Sequence, residues 1–256
     1  MRPHRGATPG MHTPYSKLGI LGGIGAVASA EFHQRFLVHW AQQNPVRDDW
    51  SYPCILHLSA PLPGLTPLGV EHPEQARQAL AERLKVLADW GAQAVALACN
   101  SLHPLREACE AACGLRIIDP WQAALPTLAR FKEPVAILGS RSLQAHLKEH
   151  GAAKTLPSRC LLLLEHEHRL VDNVIAQVLQ ARLPQAATLL EHLLGSLQQR
   201  EPELRHVVLA CSELSVAKRL LETLGPDRTP VASRQSLAFL DTLDCLVQES
   251  VRCLGP

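Results

Sequence analysis

The 256 residues carry a formal net charge of +1, with 46% apolar, 19% charged and 4% aromatic side chains. That balance builds a buried core and argues against a basic, aromatic-rich surface for nucleic acid. No apolar run approaches the ~20 residues of a membrane-spanning helix.

The opening segment MRPHRGATPGMHTPYS is basic but has no apolar h-region, so residues 1–16 read as a disordered tail, not a secretory signal. A cytoplasmic location follows as an expectation. The eight cysteines, none in C-x-x-C spacing, are then expected to be free thiols.

The first strand, Leu18–Gly22, runs into the stretch GILGGIGAVA. Its Gly23-x-Gly25-x-x-Ala28 fits the relaxed dinucleotide fingerprint. That fingerprint needs an acid near the end of the next strand to hold a ribose. The next strand, Cys54–Ser59, ends in Leu58-Ser59-Ala60. The glycines are therefore read as a turn that lets backbone come close to a small carboxylate.

Further strands are expected at Ala94–Ala98, Arg116–Ile118, Val135–Gly139, Cys160–Leu164, Val207–Ala210 and Pro230–Ala232. Helical patterns begin near Val27, Pro73, His103, Trp121, Leu143, Glu167, Leu183, Ser215 and Ser236. This alternation predicts an α/β fold of parallel sheets flanked by helices. Cys109 and Cys113, one helical turn apart, read as small apolar residues on one face. His166 and His168 in EHEHR point to different faces of a helix and do not make the H-E-x-x-H zinc pattern. No metal site is expected.

An internal repeat organises the chain. GILGG at 19–23 resembles AILGS at 136–140, and Ile20 aligns with Ile137. AVALACNSL resembles HVVLACSEL, which places Cys99 and Cys211 112 positions apart (99 to 211). Two pairs in the same order at nearly the same offset predict two similar, pseudo-symmetric lobes of about 110 residues. Open α/β sheets place ligands at strand C-termini, so a site between the lobes would receive one turn and one cysteine from each.

Each thiol is expected where a buried strand gives way to a helix, a position that lowers a cysteine pKa and binds anions. Asn100, Ser101 and Ser212 add neutral polar groups able to hold a carboxylate. Either cysteine alone reads as a small residue ending a strand; their equivalence is what suggests paired chemistry. One thiolate removes a proton from carbon and the opposite thiol returns one to the other face. A stereocentre is inverted without metal or cofactor. His103 either tunes the first thiol or supports packing. Glu213 either orients the second thiol or marks a first helical turn.

GILGGIGAVAS, ACNSLH and LACSEL together resemble the aspartate/glutamate racemase superfamily, most closely its aspartate racemase branch. The family motifs are G-x-L-G-G-M-G-P-x-A-T, C-N-T-A-H and G-C-T-E-L, and the resemblance spans roughly residues 17–250. It implies catalytic Cys99 and Cys211, with substrate contacts at Asn100, Ser101 and Ser212; the turns at the strand ends add Gly23, Gly25 and Ser140 as expected contacts. His103, Glu213 and Arg141 stand behind them. It also implies a cofactor-independent racemase for a small amino acid or related carboxylate, commonly a homodimer, with no nucleic-acid or membrane partner. The last strand and helix are expected to return to the first lobe, giving lobes of 17–118 plus 230–256, and 119–229.

The departures are specific. Met-Gly-Pro becomes Ile24-Gly25-Ala26, and Leu102 stands where the family has Ala. The segment SAPLPGLTPLGVEHP lacks the family's carboxylate-binding Arg, and GSRSLQAHLKEHG lacks its T-x-G-T pattern while containing Arg141. The repeat pairs Ala232-Ser233 with Asp119. These changes suggest a substrate without an acidic side chain, with Arg141 as either a substitute anion binder or a solvated loop charge. The competing readings are a maleate isomerase-, hydantoin racemase- or decarboxylase-like enzyme of the same superfamily, a non-catalytic amino-acid-binding protein, and a nucleotide-binding oxidoreductase.

Overall fold

The computed structural model describes residues 17–66, 69–151, 159–223 and 237–254. The expected tail, the strand at Pro230–Ala232, the Ala232-Ser233 pair and the helix start at Ser236 lie outside these residues.

The first sheet contains β1 (Leu18–Gly22), β2 (Ile55–Ser59), β5 (Ala94–Leu97) and β6 (Arg116–Ile118), in the order β2-β1-β5-β6, all parallel. The second contains β7 (Val135–Gly139), β8 (Cys160–Leu161), β9 (His206–Ala210) and β10 (Ala238–Asp241), in the order β10-β9-β7-β8, also all parallel. The two orders are the same topology. β7 takes the place of β1, β8 of β2, β9 of β5 and β10 of β6, so the sequence repeat is a repeat of architecture. A small antiparallel ribbon, β3 (Leu65–Thr66) with β4 (Gly69–Val70), was not expected.

Strand alternation decides what each face buries. Leu18 and Ile20 point to one side of the first sheet and pack with Phe32 and Phe36 of α1 (Ala26–Gln43). Leu21, Val95 and Leu97 pack on the other side with Leu80, Leu84 and Leu87 of α2 (Pro73–Asp89) and Cys109 of α3 (Arg106–Cys113). In the second sheet, Ala136, Leu138, Val207 and Leu209 face α6 (Glu165–Leu179), α7 (Leu183–Arg200) and α8 (Ser212–Thr223). Val135, Ile137, Val208 and Ala210 face α4 (Pro120–Leu128) and α5 (Arg141–His146).

The lobes exchange helices. α4 follows β6 of the first sheet but buries Trp121, Ala124 and Leu128 against the second. α9 (Thr242–Leu254) follows β10 of the second sheet but buries Leu243, Leu246, Val247 and Val251 against the first. This corrects the expectation that the terminal strand and helix both return to the first lobe. The strand hydrogen-bonds β9, in register from Ala238–His206 to Asp241–Leu209, and only the helix crosses. The pattern near His103 also differs: a 3₁₀ turn, Asn100–Leu105, comes first, and α3 starts at Arg106, after Pro104, which offers no N–H. Among the described residues, no helix is long and apolar enough to cross a membrane.

Leu246 is fully buried at this crossing. Leu246→Ala is expected to lower the urea-unfolding free energy by about 2–5 kcal/mol. A loss below about 1 kcal/mol would show that α9 does not anchor the first lobe.

Candidate active site

In each sheet the central pair of strands, β1 with β5 and β7 with β9, connects outward in opposite directions. The crevice at the C-terminal ends of such a pair is where open α/β sheets hold ligands. Gly22-Gly23 and Cys99 stand at one crevice, Ser140 and Cys211 at the other. The two crevices open onto one cleft of about 260 Å³, lined by Gly23, Ile24, Gly25, Pro61, Leu62, Leu65, Thr66, Cys99, Ser101, Ser140, Ile175, Leu179, Cys211 and Glu213. This is smaller than the ~300–1,000 Å³ of sites for drug-sized ligands, and suits a small molecule. A larger hollow of about 550 Å³, between α3, α4 and α9, contains Cys245 but neither of the paired thiols. Its walls are largely ion-paired, Arg106 with Glu110 and both Arg116 and Arg252 with Glu249.

The two thiols are buried in different settings. Cys99 precedes the 3₁₀ turn, and the backbone N–H groups of Ser101 and Leu102 and the Ser101 hydroxyl favour its thiolate. Burial, and then the Glu213 carboxylate, overcome that help and push the Cys99 pKa up to about 12. Burial likewise raises Cys211 well above the ordinary thiol value, and Glu213 and Cys99 add to it. The Cys211 Sγ donates to Glu213 Oε2 at 3.0 Å. Ser212 Oγ donates to the same oxygen at 3.2 Å.

Glu213 approaches the other lobe where a glycine leaves room for it. Gly25, at φ +78°, caps α1, and a Cβ there would overlap Glu213 Oε1. Gly23, at φ +82°, lies against the Ala60 backbone, where a Cβ has no room. These glycines therefore supply close approach in a left-handed conformation.

Two hydrogen-bonded links join the lobes around the thiols. Ser101 Oγ meets Ser140 Oγ at 2.7 Å, and Ser140 meets Ser142 at 3.2 Å. Asn100 Nδ2 donates to Thr242 Oγ1 at 3.0 Å, and Thr242 Oγ1 donates to the Leu209 carbonyl at 2.8 Å. Four residues beyond each cysteine the repeat continues. His103 Nδ1 donates to Asp119 Oδ2 at 2.7 Å, and Ser215 Oγ donates to Asp241 Oδ1 at 2.6 Å. Asp241 ends β10 just as Asp119 follows β6. It replaces Ala232-Ser233 as the counterpart of Asp119, and its other oxygen accepts from Arg35 Nη1 at 2.7 Å.

Of the residues singled out in the sequence, Gly23, Gly25, Cys99, Ser101, Ser140, Cys211 and Glu213 line the cleft. Asn100 does not; its amide turns to Thr242. Ser212 turns to Glu213, and His103 to Asp119. Arg141 is no anion binder here: its guanidinium bonds Asp172 at 2.9 Å and both oxygens of Glu165 at 2.9 and 3.0 Å. His166 is exposed and His168 buried, on different faces of α6. The apolar wall of Pro61, Leu62, Leu65, Ile175 and Leu179 was missed. The i, i+4 spacing of Ile175 and Leu179 was its sequence signal, as was the position of the 60–66 loop at the end of β2.

A family model described as Asp/Glu/Hydantoin racemase matches residues 21–249. Among solved structures, Picrophilus torridus aspartate racemase is 15% identical, with a TM-score of 0.67 and 94% of each chain covered. An aspartate racemase homologue from Pyrococcus horikoshii OT3 is 16% identical, with a TM-score of 0.64, covering 93% of this chain and 99% of that one. Glutamate racemase from Thermus thermophilus, solved with β-chloro-D-alanine, is 16% identical, with a TM-score of 0.59, covering 94% and 81%. At these identities the likeness is one of fold. No curated protein matches the chain.

The Glu213 charge opposes ionisation of both thiols. Iodoacetamide labelling of Cys99, followed by peptide mass spectrometry across pH, should give an apparent pKa above the ordinary 9.0. In Glu213→Gln that value should fall, with faster labelling at neutral pH. An unchanged or higher value would remove Glu213 as the controlling charge.

Proposed function

The chain belongs to the Asp/Glu/hydantoin racemase family, and we propose that it is an isomerase that inverts the α-carbon of a small amino acid with Cys99 and Cys211 as its acid–base pair. The observation that carries this reading is that the two thiols reach one cleft from equivalent strand ends of two repeated lobes. A pair related in this way can address opposite faces of a carbon placed between them.

The electrostatics assign a role to each group. With the cleft empty, burial and Glu213 keep both sulfurs protonated. An α-ammonium beside Glu213 offsets that negative charge and lowers the cost of a thiolate. Cys99, with two backbone N–H groups and a hydroxyl aimed at it, is the better thiolate, while Cys211 keeps its proton on a hydrogen bond to Glu213. Once substrate is bound, Cys99 releases its own proton to solvent; the thiolate then takes the Cα proton, and Cys211 delivers its proton to the opposite face, ending as the thiolate. The reverse reaction exchanges the roles. The Ser140 hydroxyl lines the cleft where it can donate to a substrate carboxylate, which acidifies the Cα–H. A non-acidic substrate side chain fits this site best: among the described residues no cation lines the cleft, and Arg141 is committed to Asp172 and Glu165. A cytoplasmic homodimer remains the expected working form.

Chiral chromatography after incubation with single enantiomers of a panel of amino acids tests this directly. Cys99→Ala and Cys211→Ala should each lower racemisation by about 10²–10⁴-fold, the usual worth of a positioned proton-transfer group. Either variant retaining full turnover would sink the two-thiol mechanism.

A further inference from the structure

We propose that the cleft selects an α-amino acid with an aliphatic side chain. Its ammonium rests on Glu213 and its side chain on the wall of Pro61, Leu62, Leu65, Ile175 and Leu179. This rests on the racemase reading above and names its substrate class.

The wall draws on both lobes. Pro61, Leu62 and Leu65 follow β2 in the first lobe, and Ile175 and Leu179 lie one turn apart on α6 of the second. It is also held in place before anything binds. Ala60 N donates to the Gly22 carbonyl at 3.2 Å. Glu71 N and His72 N both donate to the Gly64 carbonyl, at 2.9 and 3.2 Å. Arg83 clamps the loop from behind, donating to the Pro61 carbonyl at 2.7 Å and the Ala79 carbonyl at 2.9 Å. Thr66, the polar member of this wall, donates to Glu71.

Charge points the same way. Among the described residues lining the cleft, Glu213 alone is charged. A side-chain carboxylate on this wall would lose its hydration, gain no cation, and enter the field of Glu213. A basic side chain would compete with the α-ammonium for that one carboxylate. An aliphatic side chain loses no hydrogen bonds and covers apolar surface, including Leu179, which is 45% exposed at the mouth. The small volume of the cleft favours an aliphatic group over a large aromatic one.

The test uses the full chain with L-leucine, L-valine, L-lysine, L-aspartate and L-glutamate. Racemisation is read by chiral chromatography and binding by the shift in Tm. L-Leucine or L-valine should exceed the acidic and basic substrates by at least about 100-fold in kcat/KM. Because Leu179 is exposed, Leu179→Arg should fold normally and move the aspartate-to-leucine ratio toward aspartate by roughly threefold or more. Faster turnover of aspartate, glutamate or lysine than of either aliphatic substrate would overturn the substrate class and leave the racemase reading standing. A Tm rise with leucine or valine alone, without turnover of any substrate, would keep the ligand class and overturn the racemase reading. The absence of both turnover and a Tm rise with leucine and valine would overturn the substrate class.

Discussion

The hydrogen-bonded relay from the Asn100 amide through Thr242 Oγ1 to the Leu209 carbonyl ties the neighbour of one thiol to the strand carrying the other. The Ser101–Ser140 contact makes a second link on the cleft side. The proposed two-thiol transfer needs its sulfurs at a fixed separation, and lobes joined only by a linker would leave that separation free. The helix exchange supplies the larger framework. α4 and α9 each bury an apolar face on the sheet that did not produce them. The relay then fixes the geometry locally, and Thr242 belongs to both devices because it opens α9.

The electrostatic arrangement has its own logic. A thiolate buried beside a carboxylate is costly, and both cysteines are pushed toward the thiol form. In the proposed mechanism, the substrate's own ammonium offsets that carboxylate and lowers the cost of the thiolate. At the junction of α1, β10 and α9, charge is neutralised within the protein. Burial, and then Asp244, raise the Asp241 carboxyl, while Arg35 and Ser215 oppose that rise. Arg35 also pairs with Glu31 and Asp244, so α1, β10 and α9 share one ion-pair network. Among the described residues lining the cleft, Glu213 is the charged one, and Pro61, Leu62, Leu65, Ile175 and Leu179 give the cleft an apolar side.

Much of this was legible in the sequence because parallel strands buried on both faces write themselves as short apolar runs. Cys99 and Cys211 were found because their flanking strands are repeated, and the glycines because the ribose-binding acid was missing. What escaped notice has physical reasons. The counterpart of Asp119 was placed at Ala232 by a constant offset, but the second lobe reaches its last strand later, at Asp241 (119 to 241, against 99 to 211). The parallel between RIID-Pro-Trp and AFLD-Thr-Leu was the available clue. The partner of the Asn100 amide nitrogen, Thr242, lies 142 positions distant, beyond the reach of any local pattern. Ile175 and Leu179 look like any amphipathic stripe, and only the tertiary fold shows that part of that stripe faces a cleft.

The central claim is that two groups on opposite faces handle the proton. Its most direct measurement follows one enantiomer of the substrate in D₂O, early in the reaction, and reads Cα deuterium separately in product and recovered substrate. Two facing thiols predict product carrying deuterium while recovered substrate keeps its protium. Equal early deuterium in both would mean a single group serving both faces, and would contradict the assignment of Cys99 and Cys211 as a pair.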